Sequence, residues 1–253
     1  MGHTSRAGFT ILETMLFLGI TGLLIIVLVS GAGVGINVQR YRDATESFKS
    51  LIQQQFADLS SVENGRASNK SCGLSAQPVT GANNTAPGQS DCMIVGRYLR
   101  IEDENISIYD VTAYENSRPL LVGANDITTM VSSSYTYNTP VTPDQQKKMD
   151  WGTHLNVPPA NDTRLGILVI RSPYTGEIYS FTSTTVPADG SVNNVALKAM
   201  MSAAGNRTAR VACVVSDGLF VTDDQSIYIN ANANAPSAVE VRSNDLLPGG
   251  TQC

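Results

Sequence analysis

An uncharged run with one acid at its start constrains this chain more than any other feature. No charged residue lies between Thr14 and Gln39, and Glu13 stands directly before that run. As a helix the run would extend about 39 Å, and about 20 apolar residues suffice to cross the hydrocarbon of a bilayer. An ionisable group at a membrane segment is costly and usually functional. We therefore expect one membrane-spanning helix, whose Glu13 needs a positively charged partner.

The rest of the chain has the composition of a soluble domain on a stalk. Beyond Arg40 it is rich in Ser, Thr, Asn, Asp and Gly, and it has no second run of this kind. Arg6 precedes the span in a short segment without acids, which predicts a cytoplasmic N-terminus and an external domain. The net charge of −5 and the pI of about 5.0 argue against broad nucleic-acid binding.

Apolar residues continue at helical spacing past the uncharged run, with charged residues between them. The stripe comprises Val38, Tyr41, Phe48, Leu51, Ile52, Phe56, Leu59 and Val62. Such spacing predicts an amphipathic helix, so one helix should run from about Thr10 to Val62 and end before Gly65. Its stripe should pack against a sheet.

Short apolar segments bounded by turn residues follow a Ser/Asn/Gly/Pro-rich loop at 66–91. The predicted strands are Met93–Ile101, Asn105–Tyr114, Leu165–Arg171, Glu177–Thr182, Val211–Val215, Leu219–Thr222, Ser226–Asn230 and Ala238–Arg242. The pattern of Ser191–Ala204 predicts a short helix, whereas Thr139–Asn161 is proline-rich and predicted to be irregular. We expect an α+β fold, with one long helix packed on an antiparallel sheet.

All four cysteines follow the predicted membrane segment, where an oxidising exterior permits disulfides. Three pairings are possible. The pairing Cys72–Cys92 with Cys213–Cys253 is favoured because each bond then closes a local loop; free buried thiols are the alternative.

The N-terminal residues Gly8-Phe9-Thr10-Ile11-Leu12-Glu13, followed by the apolar helix, resemble a type IV prepilin or pseudopilin. The resemblance covers about the first 35–40 residues. It implies that a prepilin peptidase cuts between Gly8 and Phe9 and methylates the new N-terminus at Phe9. It also implies four segments: a leader (1–8), a membrane and assembly helix (9–37), an amphipathic helical half (38–64) and an external β-rich domain (65–253) of the type IV pilin fold.

Glu13 matches the acidic residue of the family's mature helix. In a bundle of parallel helices the amine of Phe9 in one subunit can face Glu13 of its neighbour, which gives each charge a partner. Unlike many pilins, the anchor contains no proline. Gly31, Gly33 and Gly35 weaken the helix near its end, so they are predicted either to let it yield during packing or to permit close helix contact.

Other sites are weighed and set aside. His3 lies in the predicted leader and His154 in a loop without a nucleophile motif, so no catalysis and no cofactor are expected. Asp217, Asp223 and Asp224 could bind calcium, but acidic turns are usually solvated, and no metal site is assigned. Arg97, Arg100, Lys147 and Lys148 are candidate DNA contacts in an otherwise acidic domain.

These patterns predict a bacterial type IV pilus-like subunit. It would sit in the cell membrane before assembly, then join identical or related pilin subunits through the pilus assembly machinery in an extracellular filament. By resemblance, such filaments support adhesion and twitching motility. A minor pilin or type II secretion pseudopilin is the alternative in this class, and a single-pass surface protein that never polymerises is the alternative outside it.

Overall fold

A computed structural model describes residues 10–60, 70–72, 74–80, 92–117, 125–188, 190–216, 225–243, 247 and 253. Within them the chain is α+β, as predicted, with a long N-terminal helix and antiparallel sheets. The predicted leader, with Gly8 and Phe9, lies outside the described residues, as do Val62 and the strand Leu219–Thr222.

One helix, α1 (Ile11–Ser60), joins the uncharged run to the amphipathic stretch without interruption. Its 50 residues extend about 75 Å. Only the second half is buried: the buried residues are Tyr41, Ala44, Thr45, Phe48, Leu51, Ile52, Gln55, Phe56 and Leu59. The predicted apolar stripe from Tyr41 to Leu59 therefore does face the protein core.

Within the described residues, the sheets contain twelve strands in chain order. They are β1 (Lys70–Cys72), β2 (Pro78–Thr80), β3 (Cys92–Glu102), β4 (Asn105–Glu115), β5 (Tyr135–Asn138), β6 (Gln145–Lys148), β7 (Thr153–Asn156), β8 (Arg164–Arg171), β9 (Ile178–Ser183), β10 (Arg210–Ser216), β11 (Gln225–Ile229) and β12 (Val239–Ser243). A six-stranded sheet has the order β5-β4-β3-β8-β9, with β6 also pairing β4. A four-stranded sheet has the order β12-β11-β10-β7, and β1 pairs β2.

The six-stranded sheet is covered on both faces. Along β8, Ile167 and Val169 pack in a core with the buried stripe of α1, while Leu168 and Ile170 join a second core with the two short helices. Alternate residues of a strand point to opposite faces, so β8 is apolar from Leu165 to Ile170, between an arginine at each end. The two helices are α2 (Asp126–Val131) and α3 (Asn194–Ser202), capped by the side chains of Asn125 and Asn193.

Tyr41 fixes the start of the buried half of α1 to the four-stranded sheet. Its buried hydroxyl donates to the Val214 carbonyl at 2.7 Å and accepts from the Gln225 N–H at 2.8 Å. Further along the helix, Gln53 Nε2 donates to the Val239 carbonyl at 2.9 Å. The amphipathic half of α1 is therefore attached to β10, β11 and β12 by polar contacts as well as by apolar packing.

Several expectations need correction. The long helix packs on two sheets rather than one, because β7, β10, β11 and β12 separate from the six-stranded sheet. The segment Thr139–Asn161, predicted to be irregular, contains β6 and β7. β6 has the polar sequence Gln-Gln-Lys-Lys and is exposed along its length, so no alternation marks it. The predicted loop at 66–91 contains β1 and β2.

Candidate functional site

The apolar half of α1 presents large hydrophobic side chains to its surroundings on every face. The exposed ones run from Ile11 to Ile36 and include Leu12, at 81% exposure, and Leu28. By length and composition this stretch can cross a membrane, and none of its most apolar window is buried against the rest of the subunit. A helix that is apolar all round requires an apolar environment, so this surface is the candidate functional site.

The first turn of α1 places Glu13 where a carboxylate is favoured. The Glu13 N–H donates to Thr10 Oγ1 at 3.3 Å and to the Thr10 carbonyl at 3.1 Å. A Thr followed three residues later by Glu is the capping-box pattern, and acids near a helix N-terminus also interact favourably with the helix dipole. The sequence carried this Thr-x-x-Glu signal, but our sequence analysis did not use it.

No cation pairs with Glu13 among the residues that the structure describes. Phe9, its predicted partner from a neighbouring subunit, lies outside those residues. Glu13 is therefore positioned near the tip of an exposed apolar helix, and its role in pairing between subunits stays a prediction.

The hydroxyl groups in the apolar half of α1 form hydrogen bonds to backbone carbonyls of the same helix. Thr14 Oγ1 donates to the Ile11 carbonyl at 2.9 Å. The hydroxyls of Thr21 and Ser30 each donate at 2.8 Å to the carbonyl four residues earlier. Such back-bonding to the helix supplies a partner for each of these hydroxyls, which matters because an unsatisfied polar group is costly in hydrocarbon.

The three predicted flexible glycines lie within continuous helix. A Cβ added at Gly31, Gly33 or Gly35 would meet nothing within 4 Å. Alanine would therefore fit each position in an isolated subunit. The predicted yielding of this turn during packing stays a prediction.

The candidate DNA contacts do not form one basic surface. Arg97 and Arg100 are three residues apart on β3, so they point to opposite faces of the six-stranded sheet. Arg97 approaches Asp58 and Asp110 at 3.8 and 3.4 Å, on the α1 face. On the other face, Arg100 Nη2 lies 2.6 Å from Glu102 Oε1.

The two lysines of the candidate set lie on β6, beside a groove. Lys148 Nζ is 2.6 Å from Glu104 Oε1, and Lys147 is exposed. The groove has a volume of about 360 Å³ and separates β6 from the amphipathic half of α1. Its lining mixes apolar residues, such as Phe48, with lysines and Asp150.

The other predicted site residues are dispersed. Cys213 and Cys253 form the expected disulfide, which attaches the C-terminal residue to β10. The side chains of Cys72 and Cys92 lie outside the described structure, as do the proposed calcium ligands Asp217, Asp223 and Asp224. His154 is half-buried in β7, opposite Val215 of β10.

No protein-family model matches this chain, and comparisons with curated proteins and with solved structures likewise give no match.

Proposed function

We propose that this chain is a non-enzymatic structural subunit of a type IV pilus-like filament, made as a membrane-anchored precursor. The observation that carries the proposal is the apolar half of α1, none of whose residues is buried, with Glu13 in its first turn. In the precursor the membrane covers this surface, and in a filament neighbouring α1 helices would cover it instead.

The proposed processing creates the partner that Glu13 lacks among the described residues. A prepilin peptidase would cut between Gly8 and Phe9 and methylate the Phe9 amine, which has a reference pKa of about 7.7–8.0 before modification. The charged amine of one subunit would then meet Glu13 of the next. Since an unpaired charge in apolar surroundings is strongly disfavoured, this pairing would fix the axial register of the helices.

Repetition of one head-to-tail contact builds an open helical assembly. Assembly machinery would extract identical or related subunits into such a filament, with the apolar helices at its centre and the globular domains as its outer coat. By resemblance, its roles would be adhesion and twitching motility. A minor pilin or type II secretion pseudopilin would use the same contact in a less abundant position.

A second candidate is a single-pass surface protein that does not polymerise. One observation favours it: Glu13 lies in the first turn of α1, where a carboxylate interacts favourably with the helix dipole, and this gives its charge a role within its own subunit. The two functions differ in the N-terminus and in how much the Glu13 charge contributes, because an interaction with the helix dipole is worth about 0.3–1 kcal/mol whereas loss of one member of a buried ion pair costs about 3–5 kcal/mol.

The mature N-terminus provides the first test. Surface filaments are sheared from the native host, and the subunit is analysed by N-terminal sequencing and mass spectrometry. The filament proposal expects a chain that begins at methylated Phe9. A chain in sheared material that still begins at Met1 or Gly2 would exclude the proposed processing.

A substitution at Glu13 provides the second test. Gln can serve in a capping box but carries no charge, and loss of one member of a buried ion pair costs about 3–5 kcal/mol. Glu13→Gln should therefore reduce sheared filaments at least about tenfold while the precursor still reaches the membrane. The matched control is Glu46→Gln, which removes an exposed carboxylate, paired with Lys49, from the amphipathic half of the same helix. Equal filament yields from both variants would contradict the role of the Glu13 charge in assembly, whereas the absence of sheared filaments even from the unaltered protein would favour the single-pass protein.

A further inference from the structure

The only tryptophan of the chain lies beside the first cation after the uncharged run. Trp151 is 54% exposed, and the guanidinium carbon of Arg40 lies 4.8 Å from the centre of its ring. The contact joins α1 to the short 3-10 helix Asp150–Gly152, which connects β6 to β7. A large aromatic side chain is therefore placed on the surface where the globular domain meets the membrane helix.

The backbone holds Trp151 outward in an unfavourable conformation. Its φ of 59° and ψ of 26° lie in the left-handed region, where bulky residues are rarely found. Both flanks of the loop are fixed to the β3–β4 turn: the Met149 N–H donates to the Glu104 carbonyl at 2.8 Å, and the Leu155 N–H donates to the Asp103 carbonyl at 3.1 Å. Conformations of this kind persist where the surrounding structure enforces them, and they cluster at functional positions.

The level of this contact along α1 matches the boundary of a bilayer. Ile36 is the last strongly exposed large hydrophobic residue of the span, and Arg40 follows about 6 Å further along the helix axis. A bilayer is about 40–45 Å thick with its headgroups and about 30 Å without them, which leaves a polar layer of about 5–7.5 Å on each side. When the apolar half of α1 spans the membrane, Trp151 and Arg40 therefore lie in that layer.

The chemistry of the pair suits a phospholipid headgroup. Among the described residues, no carboxylate oxygen lies within 4 Å of the Arg40 guanidinium, and no hydrogen-bond acceptor is present for the Trp151 indole N–H. Tryptophan favours the membrane interface, where its ring is apolar and its N–H is wet, and arginine forms strong bonds to phosphate.

We infer that Trp151 and Arg40 form a lipid-binding contact that seats the globular domain on the outer leaflet of the precursor's membrane. A single spanning helix leaves the rotation and tilt of its domain unrestrained. A second contact beside the helix restrains both, and so presents one side of the domain to the assembly machinery. The inference rests on the membrane-anchored precursor of the proposed function but not on filament formation.

Because Trp151 is the only tryptophan, its fluorescence reports this contact directly. Full-length precursor is reconstituted in vesicles of phosphatidylcholine and phosphatidylglycerol that contain a nitroxide quencher, placed either on the headgroup or near the end of an acyl chain. We expect the headgroup quencher to reduce Trp151 emission at least twofold more than the chain-end quencher. Arg40→Gln should weaken that quenching, since it removes the phosphate-binding partner.

The matched control moves the tryptophan to a site of equal exposure away from the membrane. Tyr174 is 51% exposed and follows the end of β8. The distance of β8 from the membrane follows from its neighbour β3, because Val169 of β8 pairs with Arg97 and Arg97 contacts Asp58 of α1. Asp58 lies about 27 Å beyond Arg40 along the helix axis, so the end of β8 is well away from the bilayer. In the double variant Trp151→Phe/Tyr174→Trp, neither quencher should reduce the emission.

Flotation of the same vesicles distinguishes the possible failures. The flotation is done at high pH, so that only inserted protein stays with the vesicles. Protein that floats but shows no headgroup quenching at Trp151 overturns the lipid contact alone. Equal quenching at position 174 also overturns it, because the domain would then have no preferred side. Protein that does not insert at all overturns both the contact and the membrane-anchored precursor.

Discussion

At the scale of single residues, two buried tyrosines carry hydroxyl groups without hydrogen-bond partners. Tyr98 and Tyr137 are nearly or completely buried, and neither hydroxyl has a partner in the part of the chain that the structure describes. Tyr98 packs directly over Gly166, where an added Cβ would lie 2.7 Å from the tyrosine oxygen. Burial disfavours the charged form of both side chains and raises the pKa of each well above its usual value of 10.

These raised pKa values predict a loss of stability in alkali. In the unfolded chain the tyrosines ionise near pH 10, whereas in the folded protein they stay protonated to a higher pH. The unfolded state therefore binds fewer protons above pH 10, and the free energy of unfolding falls as the pH rises towards the folded pKa. A fully titrating tyrosine contributes a slope of about 1.4 kcal/mol per pH unit. Urea unfolding of the full chain in detergent, followed by circular dichroism between pH 8 and 11, measures this slope.

The variant Tyr98→Phe isolates one part of that slope. It removes a buried hydroxyl that lacks a partner, so stability at pH 8 should be unchanged or slightly higher, and the fall above pH 10 should be shallower. Tyr174→Phe, at an exposed position, is the control and should leave the slope as it is. An unchanged slope in Tyr98→Phe would show that Tyr98 does not titrate as the burial implies.

Lys198 acts in the opposite direction: burial lowers its pKa, so its contribution to stability rises with pH.

At the scale of elements, the sequence predicted those with a strong and continuous pattern. The apolar spacing from Tyr41 to Leu59 gave the buried face of α1, and apolar runs between turns gave β3, β4 and β8. β6 was missed because its exposed Gln and Lys residues have no periodicity. β7 was missed because only Thr153 and Leu155 alternate inward within four residues.

The candidate site likewise has one part that the sequence predicts and one part that it does not. The exposed apolar helix and its Glu13 follow from composition alone, since no tertiary contact hides them. The contact between Trp151 and Arg40 could not be predicted, because it depends on the β3–β4 turn holding a loop from a distant part of the chain. Local pattern carries no information about such contacts.

The glycine-rich turn of α1 yields a prediction for this element. Replacing Gly31 and Gly33 with alanine should stabilise the helix by up to about 1 kcal/mol at each position, because the structure leaves room for both methyl groups. If assembly requires this turn to yield, the double variant should form fewer sheared filaments while its amides exchange hydrogen more slowly in detergent. The control is Gly19→Ala with Gly22→Ala, which adds the same methyl groups in equally open surroundings. Equal filament yields from the two double variants would remove the flexible turn from the proposal.

At the scale of the whole molecule, the two halves of α1 have different surroundings. Its first half contains no buried residue, whereas its second half supplies Phe48, Ile52 and Phe56 to the main core. The globular part should therefore fold without the first half, and a chain of residues 40–253 keeps the Tyr41 hydrogen bonds to both neighbouring strands. We expect this chain to be monomeric without detergent and to unfold cooperatively, as measured by light scattering and by thermal melts in circular dichroism.

A chain that begins at residue 61 should fail both measurements, because each large apolar side chain it lacks contributes about 1.5–3 kcal/mol on burial. If the 40–253 chain aggregates or melts without a transition, the globular domain needs the apolar half of α1 in order to fold. The division of α1 into two independent halves would then be wrong.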